Sequence, residues 1–316
     1  EKVPLTCSKF AEYIALAGFP PGVFQIINGA ATAVNSLVEN PGVSAVTFVG
    51  STKIAKLVYN KCKTLEPPKR ALCLGGAKNH LVAVKDCNID MTSTDILNSF
   101  CGCAGQRCMA ASVLLLVDKQ DKLLNEVVRK ASEVKPGIEK RQLGPIIDEA
   151  SLNRIKGYVD SAEKDGHKIL LDGRKWIEKY GKPTKGNWFG PTVILFNDIK
   201  HPGITEEIFG PVISVYVCKS KEEAIEIENN NGYGNAACIY TSTGENALYF
   251  QKRFSSGMIG VNIGVPVPRE PFAFGGINSS KFGDSDITAD GGIQFFTWRR
   301  KVTTKWTPPE KKTWMD

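Results

Sequence analysis

Apolar residues recur every three or four positions over residues 7–17, 31–39 and 53–62, and each run ends before Gly or Pro. That spacing lines one face of a helix, and the punctuation marks its end. Between these runs lie short stretches rich in β-branched and aromatic residues at 23–27, 43–49 and 70–74, which read as strands. Strand and helix in alternation predict βα units around a parallel sheet of the dinucleotide-binding kind. The second half continues in the same manner. Helical spacing appears at 122–132, 149–165, 221–229 and 246–254, with strand-like runs at 113–117, 168–171, 193–195, 212–217 and 236–240. Residues 181–191, rich in Gly, Lys and Pro, read as a surface loop. Near the C-terminus, 293–298 and 302–304 are β-branched and aromatic, the pattern of a strand that pairs across a subunit edge.

Composition narrows the class. The 316 residues are 42% hydrophobic, enough for a substantial core in two domains, yet no apolar run reaches bilayer length. A soluble protein with no membrane contact is expected. The net charge of +7 is scattered, with short clusters at Lys140-Arg141, Arg299-Arg300-Lys301 and Lys311-Lys312 and no basic stripe. Solvated faces explain these better than nucleic acid does. Nine cysteines, an odd number, without a charged-then-apolar leader predict free thiols in a reducing compartment, so the protein is not expected to be secreted. Paired Cys-x-x-Cys spacing is missing and there are only three histidines, so no metal is expected.

The chemistry concentrates at Gly105-Gln106-Arg107-Cys108-Met109-Ala110. Small residues let another molecule approach the backbone, and a cysteine acts as a nucleophile once it is a thiolate. Arg107 could lower the thiol pKa or grip a substrate carboxylate with its planar fork. Upstream, Thr47-Phe48-Val49-Gly50-Ser51-Thr52 runs from a strand through a Gly-Ser turn into a helix, a geometry that binds phosphate. Leu72-Cys73-Leu74-Gly75-Gly76-Ala77-Lys78-Asn79-His80 reads as a strand ending in a glycine turn. Further on come Glu206-Glu207-Ile208-Phe209-Gly210-Pro211 and Phe272-Ala273-Phe274-Gly275-Gly276.

In this order, these motifs resemble the aldehyde dehydrogenase superfamily over essentially the whole chain. Gln106-Arg107-Cys108-Met109-Ala110 is similar to its coenzyme A-acylating methylmalonate-semialdehyde dehydrogenase branch. The resemblance implies an α/β, aldehyde dehydrogenase-like fold. Its parts would be an incomplete Rossmann-type NAD domain (1–76), an α/β catalytic domain (77–290), and a C-terminal oligomerisation strand and tail (291–316). Cys108 would be the nucleophile and Arg107 the carboxylate ligand. Gly29, Gly50, Ser51, Glu207 and Phe209 would contact NAD, with Glu207 on the nicotinamide ribose and Phe209 against the ring, and Phe274 would form a pocket wall. Most members have a glutamate in the Leu72–Lys78 segment that activates water. That position falls at Leu74 here, or at Cys73 with a one-residue shift, and neither can act as a carboxylate base.

The resemblance therefore implies NAD-dependent oxidation of malonate or methylmalonate semialdehyde through a cysteine thioester. Transfer to coenzyme A with loss of carbon dioxide gives acetyl- or propionyl-coenzyme A, as in valine or pyrimidine catabolism. The partners implied are a small aldehyde, coenzyme A and further copies of the chain, as a dimer or tetramer. The compartment would be mitochondrial in a eukaryote and cytoplasmic in a bacterium. Glu1 matches the end of a family Lys-Pro-Ser-Glu motif. The ribose lysine, an oxyanion asparagine and a second arginine would lie before it. Two other readings follow: a truncated, noncatalytic structural subunit, or a hydrolytic aldehyde dehydrogenase with a relocated base.

Overall fold

The computed structural model describes residues 1–306 and 314. The first part of the chain forms α1 (Pro4–Leu16), α2 (Ala31–Glu39), β1 (Ala45–Val49), α3 (Thr52–Thr64) and β2 (Arg70–Leu74). Next come β3 (Asn79–Ala83), α4 (Ile89–Cys101), β4 (Ala111–Val117), α5 (Asp121–Ser132), α6 (Glu149–Lys164) and β5 (Lys168–Leu171). They are followed by α7 (Trp176–Tyr180), β6 (Thr192–Leu195), α8 (Pro202–Thr205), β7 (Val212–Cys218), α9 (Lys221–Asn229) and β8 (Ala236–Tyr240). The last elements are α10 (Gly244–Gln251), β9 (Met258–Val261), β10 (Lys281–Phe282) and α11 (Ala289–Phe296).

Two sheets result. The smaller has the order β1-β2-β10, with β1 and β2 parallel and β10 antiparallel to β2. The larger has seven strands in the order β5-β6-β7-β4-β3-β8-β9, parallel except for the edge strand β5. A parallel sheet covered on both faces needs strands apolar on both sides. All five residues of β3 and of β8 are accordingly buried. Helices supply the cover: α5 turns Leu123, Leu124, Val127 and Ala131 inward, and α6 turns Ile155, Val159 and Ala162. Their ends are satisfied locally. Asn88, Asp148, Ser220 and Thr243 accept main-chain N–H groups at the starts of α4, α6, α9 and α10. Buried Lys69 donates to the carbonyls of Val38 and Asn40 at the end of α2 (2.7 and 2.5 Å).

Three differences from the sequence reading have physical causes. Residues 23–27 form no strand, and β1 is an edge of its sheet with no described strand on its free side. A strand needs a neighbour to take up its N–H and C=O groups. The tail expected as a strand at 293–298 is helical up to Phe296, and no strand is described at 302–304; the C-terminal part contributes β10 instead. Arg70 accounts for this. Its guanidinium donates to the carbonyls of Gln294 and Thr297 (2.8 and 2.9 Å), capping α11, and stacks on Phe295 and Trp298. Tertiary contacts here outweigh β-propensity. The loop at 181–191 is exposed up to Lys185, but Trp188 to Pro191 are buried, with the Trp188 indole donating to the carbonyl of Thr184 (2.9 Å). Residues 307–313, 315 and 316 of the expected tail, including Lys311-Lys312, lie outside the described residues.

The inward face of α4 also departs from simple patterning, because Thr92, Ser93 and Ser99 are buried on it. Ser99 Oγ donates to the carbonyl of Gly264 (2.6 Å) and accepts from the N–H of Ala111 (2.7 Å), joining α4 to β4 and to the loop after β9. Ser99→Ala leaves both main-chain groups buried and unpaired. It should cost about 1–3 kcal/mol in urea unfolding; a loss within error of zero would mean that water replaces the hydroxyl.

Candidate active site

Cys108 stands in the turn between α4 and β4, half-buried. The chain reaches it through three successive left-handed residues, Cys103 (φ 52°), Ala104 (φ 54°) and Gly105 (φ 68°). Such a run is costly outside glycine, and Gly105 has a second reason to lack a side chain. A Cβ there would lie 2.0 Å from the carbonyl oxygen of Gly210. The cysteine turn is thereby pressed against the Glu207–Gly210 segment. Cys108, Val265 and Phe274 pack against one small apolar cluster of Met109, Ala236 and Met258.

Burial pushes the Cys108 thiol above its ordinary pKa, and the Glu207 carboxylate adds to that rise. Opposing them, the N–H groups of Cys108 and Met109 favour the thiolate, and the Arg107 charge does so more weakly. The guanidinium of Arg107 is turned elsewhere. Its Nη2 donates to the carbonyls of Asn98 and Ser99 (2.8 and 3.1 Å) in the last turn of α4, a helix C-cap. Its Nε is buried with no partner among the described residues. Of the groups that act on the Cys108 thiol, Arg107 is the weakest.

Leu74 is buried at the end of β2, and Cys73 is buried one residue earlier, its thiol pushed up to about 12 by desolvation. Beyond Leu74 the chain turns through Gly75 and Gly76 into β3, and several motifs meet there. The N–H of Ala77 donates to Glu207 Oε1 (2.8 Å), and a Cβ on Gly76 would lie 2.4 Å from Glu207 Oε2. Thr52 Oγ1 accepts from the N–H of Gly76 (2.9 Å) and donates to the carbonyl of Ser279 (3.1 Å). Ser280 Oγ donates to the carbonyl of Gly76 (2.7 Å). Glu207 is held above the usual carboxylate range by burial, offset by the Ala77 N–H and then by Lys78.

The Gly50-Ser51 turn before α3 is open. Ser51 is the exposed N-cap of α3 and its hydroxyl makes no capping bond, while Gly50 donates its N–H to the carbonyl of Leu74 (3.1 Å). Unspent amides and a free hydroxyl at a helix N-terminus suit an anionic group. Gly29 stands, exposed, just before α2. Phe209 adopts φ 54°, rare for an aromatic residue, and is 36% exposed between buried Ile208 and Gly210.

Sequence reasoning assigned no role to Lys78, Asn79, Thr52, Asn235 or Ser280, all of which hold this junction together. Asn79 and Asn235 carry no periodic signal; only their burial beside the cysteine turn distinguishes them. No described group of three His, Cys, Asp or Glu residues could hold a metal ion, and no described helix is long and apolar enough to cross a membrane.

Lys78 is the electrostatic anomaly. It is fully buried, and its Nζ donates to the carbonyl of Gly203 (2.8 Å), which also accepts from Ser214 Oγ (2.6 Å). Burial lowers its pKa to about 7, against the pull of Glu207 and Glu206. The unfolded chain, with a lysine of ordinary pKa, then binds more protons between about pH 7 and 10.5, so stability rises with pH across that window. Lys78→Met should be more stable at neutral pH by about 1 kcal/mol or more. It should also lack that rise, because no titrating amine remains there, while Ser214 keeps the Gly203 carbonyl satisfied. Urea unfolding of both proteins at pH 7 and near pH 9.5 measures this; parallel slopes would mean that Lys78 keeps its ordinary proton affinity.

Against known proteins, the aldehyde dehydrogenase family model matches residues 1–302. Malonate-semialdehyde dehydrogenases of Bacillus cereus (strain AH187) and, named as number 1, of Bacillus thuringiensis (strain Al Hakam) are each 37% identical over 310 residues, covering 97% of this chain and 63% of theirs. A solved structure from Sinorhizobium meliloti 1021, assigned as a methylmalonate-semialdehyde dehydrogenase and complexed with NAD, superposes with TM-score 0.92 at 33% identity. It covers 98% of this chain and 63% of that one. The methylmalonate-semialdehyde dehydrogenase of Oceanimonas doudoroffii gives TM-score 0.90 at 35% identity, covering 95% and 62%. The chain thus spans under two thirds of the length of these relatives. On the family match and the convergence of its motifs in one fold, the chain belongs to the aldehyde dehydrogenase family.

Proposed function

We propose that this chain carries the nucleophile and the nicotinamide side of a coenzyme A-acylating semialdehyde dehydrogenase, acting on malonate or methylmalonate semialdehyde. The observation that carries this reading is a half-buried Cys108 in a chain whose buried Leu74 stands where the resemblance places a water-activating carboxylate. Without that base, water attacks a thioester slowly, whereas a thiolate exchanges acyl groups readily. Likeness to malonate-semialdehyde dehydrogenases and to the NAD-complexed Sinorhizobium structure supports the substrate class and the cofactor.

In this mechanism the Cys108 sulfur bonds to the aldehyde carbon, and the N–H groups around it stabilise the oxygen as charge develops. NAD, when bound, accepts the hydride that leaves that carbon. Gly50, Ser51 and the α3 N-terminus would hold its pyrophosphate, Gly29 would lie beside it, Glu207 would hold a ribose diol and Phe209 would support the nicotinamide. The thiolate of coenzyme A then displaces Cys108 from the thioester, and loss of carbon dioxide leaves acetyl- or propionyl-coenzyme A. Arg107, whose buried Nε has no partner among the described residues, would turn from its cap on α4 to meet the substrate carboxylate. In the assembled enzyme, exposed Trp298, Val302 and Trp306 support contact with another copy, as a dimer or tetramer.

One observation favours a second reading. The Glu207 charge is felt at Cys108 and its carboxyl is held above the usual range, so Glu207 could serve a hydrolytic enzyme as a relocated base. NADH formation from malonate semialdehyde, measured with and without coenzyme A, separates the two. Dependence on coenzyme A is expected; equal turnover without it selects hydrolysis, and no turnover under either condition selects a noncatalytic subunit. Arg107→Leu should lower kcat/KM for malonate semialdehyde by about tenfold or more while changing propanal far less. An equal loss on both substrates would confine Arg107 to capping α4.

A further inference from the structure

The main-chain carbonyl of Cys108 accepts two side-chain amides from different parts of the large sheet. Asn79, the first residue of β3, donates through Nδ2 to the Cys108 oxygen at 2.8 Å and to the Ala110 oxygen at 3.0 Å. Its own Oδ1 accepts from the N–H of Ala236 at the start of β8 (3.1 Å). Asn235, just before β8, donates through Nδ2 to the same Cys108 oxygen at 2.9 Å, and to Met109 Sδ at 3.0 Å. Both asparagines are buried, at 4% and 7% exposure. Nothing in the strand patterning requires amides there, and a buried amide is retained only where its bonds are made.

We propose that Asn79 and Asn235 are positioning residues for the nucleophile, a two-amide clamp that fixes the Cys108–Met109 peptide plane so that its N–H faces Cys108 Sγ. The reasoning is geometric. A trans peptide is planar, with its C=O and N–H pointing in opposite directions. Two amides holding the oxygen on the strand side direct the Met109 N–H the other way, towards the thiol. That N–H is one of the groups that favour the Cys108 thiolate. Asn79 also ties the turn to both β3 and β8, so the clamp refers the cysteine to two fully buried strands of the large sheet. Asn235 is the cleaner probe, because Asn79 has structural bonds besides.

The inference rests on Cys108 acting as the nucleophile but is tested without turnover. The chain is treated with iodoacetamide across a range of pH, and the rate is read at the Cys108 peptide by mass spectrometry, with exposed Cys103 as internal reference. Asn235→Leu should move the Cys108 midpoint upward by about one pH unit and slow its alkylation near neutral pH by about tenfold, leaving Cys103 unchanged. Asn235→Ser, which keeps a hydroxyl donor in a smaller side chain, should fall between. If Asn235→Leu does not fold, Asn235→Ser decides alone: an upward midpoint supports the clamp and a wild-type midpoint overturns it. Wild-type midpoints in both folded variants overturn it too, as does faster alkylation of Cys103 and Cys108 alike, which marks general loosening. A wild-type chain without turnover would defeat the proposed reaction and leave this profile readable, so the two failures are distinguishable.

Discussion

At one point two backbones approach so closely that no side chain fits between them: Gly105, in the turn before Cys108, lies against the carbonyl of Gly210. The contact joins segments a hundred residues apart in sequence and makes one object of the cysteine turn and the Glu207–Phe209 segment. Its cost is local strain. Cys103 and Ala104 take left-handed backbone angles to bring Gly105 into place, and Phe209 takes one on the opposite side. Strain of this kind persists only where the surroundings over-determine it. Here Arg107 on the end of α4 and the buried bonds of Ser99 do so.

The junction also explains how two sheets share one site. The small sheet presents the carboxyl ends of β1 and β2, where Gly50 and Gly75 follow, as open α/β sheets generally do for ligands. The large sheet presents the amino ends of β3, β4 and β8, where Asn79, Cys108 and Asn235 lie. The five residues from Leu74 to Lys78 are the bridge, and other motifs engage its main chain. Thr52 and Glu207 accept from the N–H groups of Gly76 and Ala77, and Ser280 bonds the N–H of Gly75 and the carbonyl of Gly76. Cofactor side and thiol side are set relative to each other by main-chain hydrogen bonds, which tolerate little displacement.

Legibility in the sequence followed how local each determinant is. The helices α2, α3, α5, α6 and α9 were readable because their buried residues recur at helical spacing within one segment. Helix α4 escaped because half of its inward face is Ser and Thr, of which Ser99 is satisfied by partners distant in the chain and Ser93 by Asp90 within the helix. Helix α11 was misread as a strand because Arg70, more than two hundred residues earlier, supplies its C-cap. The site divides in the same way. Cys108, Glu207 and Leu74 announce themselves through motif spacing. Asn79 and Asn235 matter only through a carbonyl that folding brings to them, and Lys78 is unusual only once its burial is known.

The resting site does not favour a thiolate, and that follows from what else it must do. Cys108 packs against an apolar cluster of Met109, Ala236 and Met258, which limits its contact with water, and the same burial raises the thiol pKa. The Glu207 carboxylate raises it further. What remains in favour of negative charge are fixed main-chain N–H dipoles at Cys108 and Met109. Such dipoles act on whatever charge stands in front of them, whether a thiolate before attack or an oxyanion after it. A site arranged in this way stabilises charge as it develops on substrate more than it stores charge on the free cysteine. Dryness and reactivity are then reconciled by the orientation of one peptide plane, which makes the residues that hold that plane as consequential as the sulfur itself.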